Sequence, residues 1–419
     1  MNWKIITLAL IAIITISGCN EPLDPFQPAD DADATEDNTN DLVSANNQFA
    51  IEMYKEFGKG KSENLFFSPW SISSAFAMTY EGAKGNTAEE MRKVFYFPEN
   101  GIVRNSSFAA LYNKINTPNN AYELSTANAL WAEKTYSFLE DYTNTIDNYY
   151  RGKVTNLDFI NDPVDSADTI NSWVEDKTND KIKDLVPASA LTPLTRLVLT
   201  NAIYFKGTWV NQFDKSLTEK EDFRITDFEK VKTDMMHMDG QEGFKYAETE
   251  DLQIIELPYK GDKLSMIILL PKENELKPIE EKFTAEKLDE LQSEMYSHEV
   301  IVSIPKFKFE TKYFMVDNLK NMGLELAFTE KKPGIASADF SGMDGTKELY
   351  ISDVIHQAFV DVNEEGTEAA AATAIVMMGA TSAPMPPLVF KADHPFMFII
   401  QENETNSILF IGQVVNPNK

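Results

Sequence analysis

Residues 364–387 read EEGTEAAAATAIVMMGATSAPMPP, a stretch of mostly small residues that contains no Lys or Arg and ends at a proline cluster. In an extended strand, the odd-numbered residues from 367 to 375 would lie on one face, and Glu368 with three alanines would lie on the other. A segment this small and nearly neutral could enter an existing sheet without burying a charge or disturbing a packed core. Alanine is also the best helix former, so an Ala-rich surface helix remains open for this stretch alone.

The composition describes a large and acidic protein. The chain has 419 residues, 43% of them apolar, and a formal charge of −28, which argues against nucleic acid or an anionic membrane surface as a partner. Cys19 is the single cysteine, so no intrachain disulfide can form. The four histidines show no metal-ligand spacing, and no metal site is predicted. Because no linker or internal repeat interrupts residues 42–419, we expect one domain there.

The first 18 residues are predicted to be a targeting segment. Lys4 provides a positive start, Ile5–Ile16 is an apolar run too short to span a bilayer comfortably, and Ser17-Gly18-Cys19 follows. This ending resembles the lipobox of prokaryotic lipoproteins, which implies a lipid attached to Cys19 at the outside of a prokaryotic membrane. An ordinary secretory signal is the alternative. Both alternatives place the protein outside the cytoplasm.

Residues 19–41 form an acidic stretch. They contain eight carboxylates, no Lys or Arg and three prolines, with almost no large apolar side chains. Such a composition cannot bury a core, so the sequence predicts a disordered tether that ends where the domain begins, at residue 42.

The pattern of the domain changes along the chain from helical to extended. Ser68-Pro69 is predicted to open a helix, and Leu197–Trp209 is a near-continuous apolar run typical of a strand buried on both sides. A hairpin is predicted over residues 254–270, and residues 350–362 are expected to pass from helix to strand. Helices come mostly early and strands mostly late, which favours the α+β class.

Four blocks, in this order along the chain, resemble the serpin family. They are NLFFSPWSI at residues 64–72, LTNAIYFKGTW at 199–209, EEGTEAAAA at 364–372 and FKADHPFMF at 390–398. The resemblance covers about residues 43–418 and is specific because all the blocks occur together. It implies the serpin fold, with three β-sheets, eight or nine helices and an exposed reactive-centre loop near the C-terminus.

The resemblance also implies an inhibitory mechanism without a catalytic group. A serine protease, or a cysteine protease, attacks the loop with its own nucleophile, and the freed upstream segment then enters the main sheet as a new strand. The physical basis is the addition of a strand to a sheet, with release of stored strain. The implied hinge of this loop consists of Glu364, Glu365, Gly366, Thr367, Glu368, Ala369, Ala370, Ala371 and Ala372.

The resemblance places the reactive bond at Ala380–Thr381, within a range that includes Met378, Gly379 and Ser382. Since the loop contains no Lys or Arg, its small and apolar residues suit elastase-, subtilisin- or chymotrypsin-like proteases better than trypsin-like ones. The family match further implies a monomer.

Two more groups of residues are implied by the same resemblance. The first is the shutter, a polar cluster beneath the opening sheet made of Ser68, Ser71, Asn201 and His356. The second is the breach at the top of the sheet, made of Trp209, Lys306 and Glu364. No cofactor of the heparin type is expected, because residues 101–119 carry only Arg104 and Lys114 as basic residues.

An enzyme and a non-inhibitory serpin are the alternatives to an inhibitor. A hydrolase would need a nucleophile poised by a base, such as the G-x-S-x-G motif, and the sequence contains none, so the chain is not expected to be an enzyme. A non-inhibitory serpin acting as a carrier, chaperone or surface adhesin remains open. The small residues and threonines of the hinge favour the inhibitor.

Overall fold

The computed structural model describes residues 26–118, 121–367 and 388–419. The predicted signal segment and the predicted lipid site at Cys19 lie outside these residues. In the described ranges, no helix has the length and apolarity required to cross a bilayer.

Helices and strands are arranged in the manner of an α+β protein, as predicted. The helices of the described residues are α1 (Glu36–Gly58), α2 (Pro69–Gly82), α3 (Gly85–Phe95), α4 (Gly101–Asn116), α5 (Glu140–Thr145), α6 (Pro163–Lys177), α7 (Lys277–Lys282), α8 (Ala285–Ser293), α9 (Val316–Asn321) and α10 (Ser341–Asp344). A π-helical turn over Ile146–Tyr150 continues α5. Eight or nine helices were expected, and the excess lies in single-turn helices such as α10, which leave little trace in the sequence pattern.

The strands form a main sheet and a second, larger sheet. In chain order they are β1 (Leu65–Phe67), β2 (Tyr122–Glu133), β3 (Lys153–Leu157), β4 (Leu197–Thr208), β5 (Glu219–Arg224), β6 (Lys230–Glu248), β7 (Leu252–Pro258), β8 (Leu264–Pro271), β9 (Tyr296–Pro305), β10 (Phe307–Phe314), β11 (Ile351–Asn363), β12 (Gly366–Thr367), β13 (Leu388–Lys391), β14 (Phe396–Glu402) and β15 (Ser407–Val414). The main sheet has the order β10-β11-β12-β4-β2-β3.

The second sheet has the order β1-β15-β14-β8-β7-β6-β9-β13, with β5 paired to β6. Three sheets were expected, and two of them are joined here into this one hydrogen-bonded sheet. The reason is that β6 is long and stays paired to β9 through both halves of the second sheet. Register shifts between residues 238 and 244 let these strands change direction without ending.

Burial and pairing explain which local predictions hold. Ser68 caps α2 by accepting a hydrogen bond from the Ser71 backbone, as its position before Pro69 predicted. The predicted passage from helix to strand over residues 350–362 is wrong, because β11 is extended from Ile351 to Asn363. This strand lies between β10 and β4, and its pairing with both neighbours overrides any local helical preference.

The N-terminal acidic stretch differs from the predicted tether over its second half. Helix α1 begins at Glu36, before the expected start of the domain, and Thr35 caps it. Ahead of the helix, the Ala29 backbone exchanges hydrogen bonds of 2.7 and 2.9 Å with the Asn113 side chain of α4, and the Phe26 ring stacks on Tyr112. The contacts use mainly backbone groups, which composition does not report, and carboxylates are favourable in the first turn of a helix.

Candidate functional site

The main sheet is closed at one end and split at the other. Strands β11 and β4 pair directly and in parallel from Ile351 with Leu197 up to Ala358 with Ile203. Above this point the short strand β12 lies between them and pairs antiparallel with both. The residues that follow β12 in the chain therefore begin at the mouth of an opening between two strands of a finished sheet.

Position 366 requires glycine, because any side chain there would clash with the neighbouring strand. A Cβ at this position would lie 2.0 Å from the carbonyl oxygen of Gly207 on β4, and the φ of Gly366 is +154°. The backbones of β12 and β4 approach too closely for any other residue.

Thr367 shows which face of β12 points toward the core. Its side chain is buried, and its hydroxyl lies 2.7 Å from the hydroxyl of Tyr259, whose ring stacks on Trp209 at 4.5 Å between centroids. Successive side chains of a strand alternate in direction. A strand that continued from Thr367 would therefore turn its odd-numbered residues toward the core.

The three predicted residues of the breach lie together at this mouth. Glu364 is buried, forms a 3.0 Å ion pair with Lys306 and accepts a 2.9 Å hydrogen bond from Thr218. The indole of Trp209 donates to the Asn363 carbonyl at 3.1 Å, and its backbone N–H donates to the Glu365 carbonyl at 3.0 Å. The base of the hinge is therefore fixed by side chains from outside the main sheet as well as by Trp209.

Electrostatics favour the ionised form of Glu364. Burial alone would raise its pKa, but hydrogen bonds from its own backbone, from Lys306 and from Thr218 outweigh burial and hold the pKa below its usual value. Its neighbour Glu365 pairs with Lys215. The contributions of Thr218 and Lys215 were missed by the sequence analysis, because both residues precede β5 and carry no motif.

The four predicted shutter residues form one hydrogen-bonded cluster across β4, β11 and the start of α2. The Ser68 backbone N–H donates to Nε2 of His356 at 3.1 Å, and Nδ1 of His356 lies 2.5 Å from the Asn201 carboxamide oxygen. The Asn201 amide reaches Ser71, and Ser71 and Asn201 both donate to the Asn128 carboxamide oxygen. Asn128, on β2, is a fifth member that sequence reasoning missed.

These contacts define the protonation state of His356. Because Nε2 accepts from Ser68, the ring proton is on Nδ1, where it is donated to Asn201. The ring is completely buried, and burial lowers the pKa of His356 to about 3. The imidazole is therefore neutral near neutral pH and acts as a connector between two strands rather than as a base.

Part of the predicted site lies outside the described residues. Of the hinge, Glu364, Glu365, Gly366 and Thr367 are described, whereas Glu368 to Ala372 are not. The predicted reactive bond Ala380–Thr381 and its range from Met378 to Ser382 are also outside. Among the described residues, no group of three or more His, Cys, Asp or Glu could hold a metal ion.

The main sheet is split at one end, and β12 is already paired inside the split. This arrangement defines a class of proteins whose main sheet has a place for one more strand. The chain belongs to the serpin family, since the family model described as Serpin (serine protease inhibitor) matches residues 44–417. This is a family of protease inhibitors, and the chain is not an enzyme.

Relatives and solved structures agree with this assignment. An archaeal serpin-like protein of Methanosarcina mazei is 46% identical over 427 residues, covering 99% of this chain and 98% of the relative. Human Serpin B3 is 42% identical over 400 residues, covering 90% of this chain and 100% of that protein. The crystal structure of Serpin48 from the insect Tenebrio molitor has a TM-score of 0.80 at 35% identity and covers 90% of this chain and 98% of its own. The predicted serpin fold is confirmed.

The pair between Lys306 and Glu364 provides a first prediction. Lys306→Ala leaves a buried carboxylate with one partner fewer, at a cost of about 1–2 kcal/mol, so the closed mouth should open more easily. On heating without protease, we expect roughly 5- to 30-fold faster conversion to a loop-inserted form, measured by native gel electrophoresis.

Lys308→Ala is the matched control, because Lys308 lies on β10, two residues beyond Lys306, and its exposed side chain pairs with the half-buried Asp361. Its conversion should match that of the wild-type protein. Equal rates for Lys306→Ala and Lys308→Ala would contradict the assigned role of the breach.

The buried imidazole provides a second prediction. With a folded pKa of about 3 and an unfolded pKa of about 6.5, His356 binds fewer protons in the folded state, so its contribution to stability falls as the pH drops from 6.5 toward 3. His356→Gln should be less stable at pH 7, and its deficit should shrink by about 2–3 kcal/mol by pH ~4.5. Urea unfolding at both pH values measures this change, with the exposed His298→Gln as control. A deficit that stays constant with pH would be the contrary result.

Proposed function

We propose that the chain is an extracytoplasmic serpin that inhibits serine proteases as a suicide substrate, by adding its cleaved loop to the main sheet. The observation that carries the proposal is β12. Its residues Gly366 and Thr367 already pair with β4 on one side and with β11 on the other. Strand addition would continue a pairing that β12 already makes with both neighbours, and this supports the proposal.

The register of β12 supports its continuation into the closed part of the sheet. Extending the antiparallel pairing with β11 places Ala372 opposite Gln357, and extending the pairing with β4 places Ala372 opposite Ala202. Gln357 and Ala202 now pair directly with each other. A single strand in one register would therefore satisfy both neighbours once they separate.

The same register would bring a hinge threonine to the shutter. Thr373 would come between His356 and Asn201, which now share a direct hydrogen bond across β11 and β4. Strand entry must break this bond, and the hydroxyl of Thr373 could bond to groups that the break releases. Opening of the shutter would in this way be coupled to the arrival of Thr373.

The chemistry of trapping belongs to the target protease. Its serine, or a cysteine in a cysteine protease, attacks the carbonyl of the reactive bond, and the amine of the downstream residue leaves as the acyl-enzyme forms. Insertion of about 15 residues at roughly 3.3 Å each would then carry the protease about 50 Å. The protease would be moved over this distance before water hydrolyses the acyl-enzyme, so it would remain covalently attached.

Specificity and location are further parts of the proposal. The bond Ala380–Thr381, flanked by Met378, Gly379 and Ser382, presents small and apolar residues that suit elastase-, subtilisin- or chymotrypsin-like enzymes. The N-terminal signal would place the protein outside the cell, where a lipid on Cys19 would attach an otherwise monomeric protein to the membrane surface. No cofactor is invoked.

Elastase and subtilisin should form covalent complexes with the protein that survive SDS gel electrophoresis, whereas trypsin should react slowly, because the loop lacks Lys and Arg. Association rates under pseudo-first-order conditions provide the comparison. An elastase whose serine is replaced by alanine is the control and should form no such complex. Simple cleavage by elastase and subtilisin, with no complex, would assign the chain to the non-inhibitory carriers, chaperones or adhesins of the family. A preference for trypsin would refute the proposed specificity.

Thr367→Arg tests the insertion mechanism itself. The arginine would have to occupy the buried site beside Tyr259 that Thr367 fills, and an unpaired charge there is costly, so β12 should be displaced and insertion should slow. We expect the variant to be cleaved as a substrate, with at least roughly tenfold more inhibitor consumed per trapped elastase. Glu368→Arg is the control, because its side chain would face the opposite side of the strand. A stable complex formed at the wild-type stoichiometry by Thr367→Arg would disprove this mechanism.

A further inference from the structure

The connection from α6 to β4 crosses the main sheet where its two halves meet. We name residues 178–187 the crossing segment. Its side chains Ile182, Leu185 and Val186 are completely buried in one apolar cluster with Ala202 of β4 and Ile355 of β11. The crossing segment therefore covers the closed part of the sheet, along the line where β4 and β11 pair directly.

One side of the crossing segment is attached to α6. The Asn171 side chain donates to the Val186 carbonyl at 3.0 Å and accepts from the Val186 N–H at 2.8 Å. Helix α6 is in turn packed on β2, where the ring of its Trp173 meets Trp131 edge-on at 5.4 Å. Lys153 of β3 lies over both rings. We expect this side of the segment to move with β2, β3 and α6 as a unit.

The other side of the crossing segment is attached to β10 by a lysine. Nζ of Lys312 donates to the Asp184 carbonyl oxygen at 2.7 Å. Lys312 lies opposite Gln357 of β11, which lies opposite Ala202 of β4, so the three residues mark one line across three strands. The bond therefore joins a segment that is fixed to one half of the sheet to a strand of the other half.

The local geometry presents the carbonyl to Lys312. Asp184 has a φ of +50°, and Asn179 and Asp180 have φ values of +51° and +59°, so the segment turns through the left-handed region three times. Asn and Asp tolerate this region better than other residues with a side chain. Although Lys312 is exposed as a residue, partial withdrawal of its ammonium group from water lowers the pKa of Lys312.

We infer that the hydrogen bond from Lys312 to the Asp184 carbonyl is a latch that controls how fast a strand enters the main sheet. The inference rests on the proposed strand insertion. An entering strand moves β4 and β11 apart by about 4.8 Å, and a bond of 2.7 Å cannot span the added distance. The segment keeps two bonds to Asn171 and its apolar contacts on one side, and on the other side the bond to Lys312 releases. Lys312 is a positioning residue, since it acts through the crossing segment.

The test compares Lys312→Met with Lys312→Arg and with Lys308→Met. Methionine keeps the apolar stem and removes the donor, arginine restores a cationic donor, and Lys308 is exposed on the same strand and binds Asp361 instead. The readout is uptake of a synthetic peptide of loop residues 366–379 by the intact protein, followed on native gels. Peptide uptake requires the sheet to open but does not require a protease.

We expect peptide uptake roughly five- to tenfold faster for Lys312→Met, and near the wild-type rate for Lys312→Arg and Lys308→Met. Hydrogen exchange of the amides in residues 178–187 should rise in Lys312→Met alone, while exchange in β14 and β15 of the second sheet stays unchanged. This local signature separates the latch from a general loss of stability. An uptake rate for Lys312→Met equal to that of the wild-type protein overturns the inference.

The outcome is independent of protease trapping. If the wild-type protein takes up the peptide but forms no covalent complex with elastase or subtilisin, the proposed inhibitory function fails while the comparison of uptake rates still decides the latch. If complexes form and Lys312→Met takes up peptide at the wild-type rate, the function stands and the latch is disproved.

Discussion

The structure depends on the direct pairing of β11 with β4 between Ile351 and Ala358, the parallel pair that closes the main sheet. Parallel pairing is slightly less stable per residue than antiparallel pairing. A strand that continued β12 would exchange this one parallel ladder for two antiparallel ladders, since β12 is antiparallel to both neighbours. Inserting the strand would therefore add backbone hydrogen bonds as well as buried surface. In the proposed mechanism, the present sheet is the less paired of the two arrangements.

Three sets of contacts resist that exchange along the same line. At the split end of the main sheet, Lys306 and Thr218 bind Glu364. In the closed part, His356 is hydrogen-bonded to Asn201. On the face of the sheet, the crossing segment connects α6 to β10. Every one of these groups is paired in the present arrangement, so each must lose a partner before a new one is gained. In the proposed mechanism, such contacts would raise the barrier to insertion without deciding which arrangement is more stable, and a protein held in this way would be kinetically stable.

Local chemistry in the sequence allowed part of the site to be predicted. The helix start at Ser68-Pro69 and the alternation that groups Thr367 with the other odd-numbered residues follow from neighbouring residues, and the family resemblance supplied the hinge, shutter and breach positions. The need for glycine at position 366 comes from the close approach of Gly207 on β4 and could not be seen in the sequence. Asn128 and Thr218 could not be found, because they join the site through contacts 73 and 146 residues away along the chain. The packed residues 26–35 were missed for a similar reason: their contacts are made by backbone atoms and by Asn113, which no composition argument can see.

The alanine run gains a second explanation from the crossing segment. In the register of β12, Ala372 would lie beside Ala202, and Ala374 would lie beside Ile355, on the face that the crossing segment covers. The side chains above this face, such as Ile182 and Val186, are completely buried and leave little free volume. A larger residue at 372 or 374 would have to displace them as the strand entered, and overpacking of this kind is costly. Alanine is small enough to pass beneath the crossing segment and carries no polar group that would need a partner there. The composition that first suggested a surface helix is thus the composition that a strand entering between two packed layers requires.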